Sequence, residues 1–160
     1  MSATPTNGYE AAVKQVLGLI ASVWKCQALR EEQNARINWR DKIESGELTP
    51  PFAILTISRM DRQSGRGAAD SNLFALPLSI TLVAPQRMSG DQTNDIMKEL
   101  VRLWQKIYRP GAEPTYYLDE DATSFDTSRQ SDAQGVVLDG SAPLTTGQLQ
   151  VKLLVDLTPS

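Results

Sequence analysis

Between Phe74 and Tyr108 the apolar residues change their spacing, and that change limits what the chain can fold into. Phe74, Leu76, Leu78, Ile80 and Leu82 alternate with Ala75, Pro77, Ser79 and Thr81. A period of two belongs to a strand with one face on a core. A turn-rich break, Pro85 to Asp91, follows. Beyond it Ile96, Leu100, Leu103, Trp104 and Ile107 fall on one stripe of a helix. The unit is therefore strand, loop, amphipathic helix, each element with one apolar face. None of its side chains forms a recognisable catalytic set. By themselves these residues specify a soluble α+β domain and no activity.

The remaining elements are read around this unit. Tyr9, Val13, Val16, Leu17, Ile20 and Trp24 repeat at helical spacing. They predict a first helix over about residues 8 to 28, with Asn7 as N-cap and Glu10 reaching back to it. Gly18 inside that helix should cost ~1 kcal/mol relative to alanine, so close approach of another backbone is expected there. Cys26 is expected to pack as a small apolar residue near the helix end. Leu29 to Leu48 is charged and poorly periodic. Ile37 and Trp39, two apart, suggest either a short strand at about 36 to 40 or an extension of the helix. Pro50 and Pro51 end any helix. Phe52 to Ser58 is β-branched and aromatic and reads as a strand buried on at least one face.

Arg109-Pro110-Gly111 stops the second helix. Pro114 to Leu118 suggests a short strand. Asp119 to Gly135 is acidic, rich in hydroxyls and poor in large apolar residues, so burial cannot hold it folded. Gly135 to Gly140 is a short apolar run closed by a turn. Leu149, Val151, Leu153, Val155 and Leu157 alternate with Gln150, Lys152, Leu154 and Asp156 as a final strand. One domain over residues 1 to 160 is expected, with a polar excursion at about 119 to 135. Its class is α+β: one mostly antiparallel sheet, two helices packed on one face, and a long hairpin loop at 59–72. The other face of the sheet should be more polar, meeting water or another subunit.

Composition removes several function classes. Net charge is −3, which gives no general attraction to nucleic acid or to an acidic membrane. The chain has no histidine, hence neither the usual general base near neutral pH nor the commonest metal ligand. Its one cysteine, Cys26, cannot form an internal disulfide. Met1 to Gly8 has no basic region leading into an apolar run, and no apolar stretch approaches the ~20 residues that span a bilayer. A soluble protein made in the cytoplasm is expected. Asp119, Glu120, Asp121 and Asp126 lack the glycine and closing glutamate of a calcium loop and read as a solvated acidic segment. Ser22 and Lys25 match Ser-x-x-Lys, but the companion boxes of β-lactamase-like enzymes are absent. No enzyme, cofactor or metal is expected.

Two polar segments stand out as contact surfaces. Residues 59 to 72 form a hairpin connection far longer than the usual two to five residues. It carries Arg59, Asp61, Arg62, Arg66 and Asp70. Its arginines suit carboxylate or phosphate, and its aspartates favour a protein partner over a phosphate backbone; a mobile, solvated hairpin tip is the equal alternative. The second segment runs from Tyr116 to Gly135 and offers Tyr116, Tyr117, Asp119, Asp121 and Phe125. Trp24 and Trp104 belong on core stripes; Trp39 is either a core edge or an interface anchor. Lys98, Arg102 and Lys106 read as the solvated face of the second helix.

The order of elements resembles the tail terminator (tail completion) proteins of tailed bacteriophages. An amphipathic N-terminal helix is followed by a strand directly after a proline, Pro51-Phe52-Ala53-Ile54-Leu55. A long hairpin returns as Leu76 to Val83, then comes a helix of the type Asp95-Ile96-Met97-Lys98-Glu99-Leu100-Val101, and a β strand closes the chain. The resemblance covers about residues 8 to 110 and the last strand. It implies a structural virion protein: a ring, typically hexameric, that caps the head-proximal end of the tail tube and meets the neck. The implied partners are other copies of the chain, the tail tube protein and a neck or connector protein, with assembly in the host cytoplasm. A connector adaptor or neck stopper is the related alternative, and a monomeric binding module unrelated to phage the distant one.

Overall fold

The computed structural model describes residues 6–59, 61–62, 73–85, 92–111, 113–129 and 144–156. In chain order they form helix α1 (Thr6–Trp24), strand β1 (Gln27–Glu32), helix α2 (Trp39–Glu44), strands β2 (Phe52–Ile57), β3 (Asp61–Arg62) and β4 (Leu73–Pro85), helix α3 (Gln92–Tyr108), and strands β5 (Tyr117–Arg129) and β6 (Leu144–Asp156). One sheet runs β1-β2-β4-β6-β5, with the two-residue β3 paired to β4 beyond the end of β2. Every pairing is antiparallel except β1 with β2. The fold is α+β, and α1 and α3 share one face of the sheet.

That face carries the main core. The alternating residues of β4 and β6 meet in register, Leu76 with Leu153, Leu78 with Val151 and Ile80 with Leu149. They lie under Val13, Val16 and Ile20 of α1 and Ile96, Leu100, Leu103 and Ile107 of α3, all buried. Each such aliphatic side chain contributes about 1.5–3 kcal/mol on burial. The α3 stripe is the one its spacing predicts, with Trp104 half-buried at its margin. Trp24 is likewise half-buried, and its indole N–H donates to the Glu99 carbonyl at 3.1 Å, tying the end of α1 to α3.

Several expectations are corrected. Helix α1 ends at Trp24, not near 28, because Lys25 takes a left-handed conformation, φ +51°, and closes the helix with its N–H on the Ala21 carbonyl. The helix already includes Thr6 and Asn7, so Asn7 is not its N-cap. No backbone approaches Gly18: a Cβ there would meet nothing within 4 Å. The charged stretch after it is a parallel edge strand, β1, while residues 39–44 are helix and not strand. Asn38 caps α2 by accepting from the Asp41 N–H at 3.4 Å, which commits the chain to a turn where Ile37 and Trp39 suggested extension. Parallel pairing needs a crossover, and α2 with the following loop supplies it. The crossover lies on the second face of the sheet, where Leu48, Phe52, Ile54 and Val83 form a small second core with Leu29, Trp39 and Ile43. Trp39 is thus a core edge, its ring 6.1 Å from that of Phe52.

The acidic run after Tyr116 is also corrected. To Arg129 it is not an excursion but β5, paired along β6. Backbone hydrogen bonds to β6 provide the order that its side chains cannot. Four residues, Glu120 to Thr123, stand between the paired positions Asp119 and Ser124 as a bulge. The hairpin between β2 and β4 continues through β3, where Asp61 faces Ala75 and Arg62 faces Phe74. Residues 63–72, and the apolar run at 135–140, lie outside the described residues.

Candidate functional site

On the second face of the sheet, β4, β6 and β5 carry half-buried and exposed polar side chains. α2 covers only the β1–β2 side of that face. Strand alternation puts polar partners opposite one another: Ser79 with Gln150, Thr81 with Gln148, Lys152 with Asp119. The Gln148 amide donates to Ser79 Oγ at 2.6 Å, and the Ser124 hydroxyl donates to Gln150 Oε1 at 3.3 Å. Lys152 Nζ lies 3.4 Å from Asp119 Oδ2. A shallow cavity of about 380 Å³ opens between Glu32, Gln33, Asn34, Ile57, Ser58 and Arg59, and one of about 290 Å³ lies over Ser124, Asp126, Gln148 and Gln150.

The proposed contact residues separate. Tyr117 is 64% exposed at the start of β5. Asp121 is exposed in the bulge, where its backbone N–H donates to Asp119 Oδ1 at 3.2 Å. Phe125 turns inward and packs against the main core. Tyr116 is inside: 5% exposed, its hydroxyl donates to the Ile107 carbonyl at 2.7 Å and so holds the chain to the last turn of α3. Burial pushes its phenol up to about 12. A partner could reach Tyr116 only by displacing it, whereas Phe125 is half-buried and lines the smaller cavity. Arg59 is exposed at the end of β2. Asp61 and Arg62 have their backbones in β3, and Arg66 and Asp70 lie outside the described residues.

Register brings the two polar segments to one end of the sheet. Asp61 faces Ala75, Ala75 faces Leu154, and Leu154 faces Tyr117. With neighbouring strands ~4.8 Å apart, β3 and the start of β5 are about 14–15 Å apart in one transverse row. Neither segment's composition indicates this proximity; it follows from β6 inserting between β4 and β5.

Elsewhere the charged groups hold the fold together. Glu31 is buried on the second face, where it accepts from the Thr56 hydroxyl at 2.5 Å, the Ile37 N–H at 2.6 Å and Arg36 Nε at 2.7 Å. Arg30 fixes β1 to α1 through two bonds to Glu10, 3.0 and 3.2 Å, and one to the Tyr9 hydroxyl. The Arg30 hydrogen bonds hold the Glu10 carboxyl below its ordinary range. Burial pushes the Cys26 thiol up, which suits a packed residue and not a nucleophile. Ser22 and Lys25 are both exposed at the end of α1. Among the described residues no three acidic or cysteine side chains gather as metal ligands, and no helix is long and apolar enough to cross a membrane.

No protein-family model matches the chain, and no curated protein matches it. Solved structures from Akkermansia muciniphila are weakly similar. One, of a protein without its transmembrane region, is 10% identical with a TM-score of 0.33, covering 98% of this chain and 90% of that one. A core domain from the same organism is 12% identical with a TM-score of 0.32, at the same coverage. A third structure has a TM-score of 0.29 at 12% identity, covering 100% of this chain and 82% of that one. TM-scores this low establish no common fold.

Proposed function

We propose that this chain is a structural subunit that acts by assembling with copies of itself, as the terminator ring at the head-proximal end of a phage tail tube. One observation supports this reading above others. The sheet ends in β5, thirteen residues long, whose outer edge pairs with no strand among the described residues. Beside it the second face of the sheet bears hydroxyls, amides and charges with no described helix over them. An open strand edge is a template for association. Acidic residues and a bulge along it restrict that association to a matched surface. The order read from the sequence, helix, strand, hairpin, helix, closing strand, is what suggests the tail terminator family; β1, α2 and β5 are additional to that order. In this role the subunit needs no cofactor and performs no catalysis. One rim of the ring meets the tail tube protein and the other a neck or connector protein.

Light scattering over a range of concentrations, with electron microscopy of the same samples, tests the proposal. Closed rings that bind the ends of tail tubes are expected. Deleting residues 62 to 69 should leave a folded subunit that fails to assemble. A chain that stays monomeric at every concentration and ignores tail tubes would overturn the reading. Labelling the chain in particles separates a terminator from an adaptor or stopper: the label should sit at the tube end and not at the portal.

A further inference from the structure

The outer face of α3 and the outer edge of β5 carry opposite charge. Lys98 and Lys106 of α3 are exposed, as is Arg109 just past its end, whose N–H still donates to the Gln105 carbonyl; continued helical geometry puts the three within a sector of about 80°. None of the three has a carboxylate partner among the described residues. Arg102, on the same face, is already committed to Glu99 at 2.7 Å and to the Val23 carbonyl. On β5, Glu120 and Asp121 project with the bulge, and Asp126 follows on the second face beside Gln148, all exposed and without a basic partner among the described residues.

Resting on the ring reading above, we infer that these two surfaces are the two halves of one interface: Lys98, Lys106 and Arg109 of one copy receive Glu120, Asp121 and Asp126 of the next. Within a single chain the two groups do not pair. The side of α3 that faces β5 presents Trp104, whose indole N–H reaches Thr123 at 3.3 Å, and Tyr108 stacked on Trp104 at 5.4 Å. The basic stripe points away from its own β5. A second copy satisfies both surfaces, three charges against three. A polyanion would take the basic stripe and leave the acidic edge unmatched. The contact is heterologous, so each copy keeps one free half until rotation closes the ring. Exposed pairs of this kind steer encounter and fix register more than they add affinity. Association should therefore weaken as salt shortens the reach of the charges.

The test is a charge swap on the full chain. One variant carries Lys98→Glu, Lys106→Glu and Arg109→Glu; the other carries Glu120→Lys, Asp121→Lys and Asp126→Lys. Circular dichroism checks that both remain folded, and glutamine or asparagine substitutions at the same positions replace any that do not. Each variant alone should associate at least about tenfold more weakly than the parent chain, the scale expected when like charges are juxtaposed. Mixed in equal amounts, the two should regain assembly, because each edge then meets a stripe of opposite sign. A parent that assembles while either reversed variant assembles equally well overturns this interface and leaves the ring standing. Folded variants that fail to rescue each other overturn it too. A parent that never assembles overturns the ring and this interface together.

Discussion

Gly147 of β6 lies directly beneath Ile96 of α3, so close that a β-carbon on the glycine would collide with the Ile96 Cγ2 methyl. The same atom would lie 3.2 Å from Leu100 Cδ1. Helix α3 therefore seats on the sheet through a missing side chain. Gly147→Ala should cost about 1–3 kcal/mol, as expected when a methyl is forced into filled space, and Gly147→Val more. Urea unfolding measures both: the midpoint should fall with the slope unchanged. A neutral Gly147→Val would mean that α3 can lift without loss.

The buried carboxylate of Glu31 gives a second prediction. It has three donors, of which Thr56 is buried and Arg36 has a side chain 66% exposed. Thr56→Val removes a donor from a group that water cannot reach and should cost about 1–3 kcal/mol. Arg36→Ala removes a charge that solvent already screens and should cost under about 1 kcal/mol. The ranking is the test. If Arg36→Ala proves the more damaging in urea unfolding, charge and not hydrogen bonding holds Glu31 in place.

Legibility of the fold followed burial. Where an element turns one face to the main core, its period survives in sequence, as in β4, α3 and β6. Three elements were hidden because something else orders them. β1 has the sequence Gln-Ala-Leu-Arg-Glu-Glu, yet its Arg30 is held by Glu10 and its Glu31 by Thr56, partners far away in the chain. α2 is too short for a helical repeat and depends on the Asn38 cap and on Trp39 packing against Phe52. β5 is acidic and hydroxyl-rich because only Leu118 and Phe125 of its partly buried residues pack on the core. Among the candidate contact residues, chain position alone could not distinguish exposed Tyr117 from its buried neighbour Tyr116. Strand alternation does so only once β5 is known to be a strand.

Gly18 offers a stabilising change. It is exposed in the middle of α1, and a β-carbon there would touch nothing. Alanine restores helix propensity and restricts the unfolded chain, so Gly18→Ala should stabilise the subunit by about 0.5–1 kcal/mol. Thermal unfolding of the monomeric protein reads this directly. A loss of assembly without a loss of stability would instead reveal that another copy packs against α1 at this glycine.

The phenol of Tyr116 makes stability depend on alkaline pH. Its pKa is about 12 in the folded chain because burial disfavours the phenolate, against 10 for the ordinary group. Below pH 10 the phenol is neutral in both states and contributes nothing to the pH slope. Between pH 10 and 12 the unfolded chain gives up the proton while the folded one keeps it, so rising pH favours unfolding. About 2–3 kcal/mol should be lost across that window, from 1.36 kcal/mol for each unit of separation. Tyr116→Phe has no proton to lose and should flatten this part of the pH profile. At neutral pH the same substitution forfeits the bond to the Ile107 carbonyl and costs about 0.5–1.5 kcal/mol. Denaturant melts of the two chains at pH 8, 10 and 11.5 test both effects: the curves should converge as the pH rises and then cross, the variant being the more stable at pH 11.5. Parallel curves would show that Tyr116 titrates as an ordinary exposed phenol and is not sealed beneath α3.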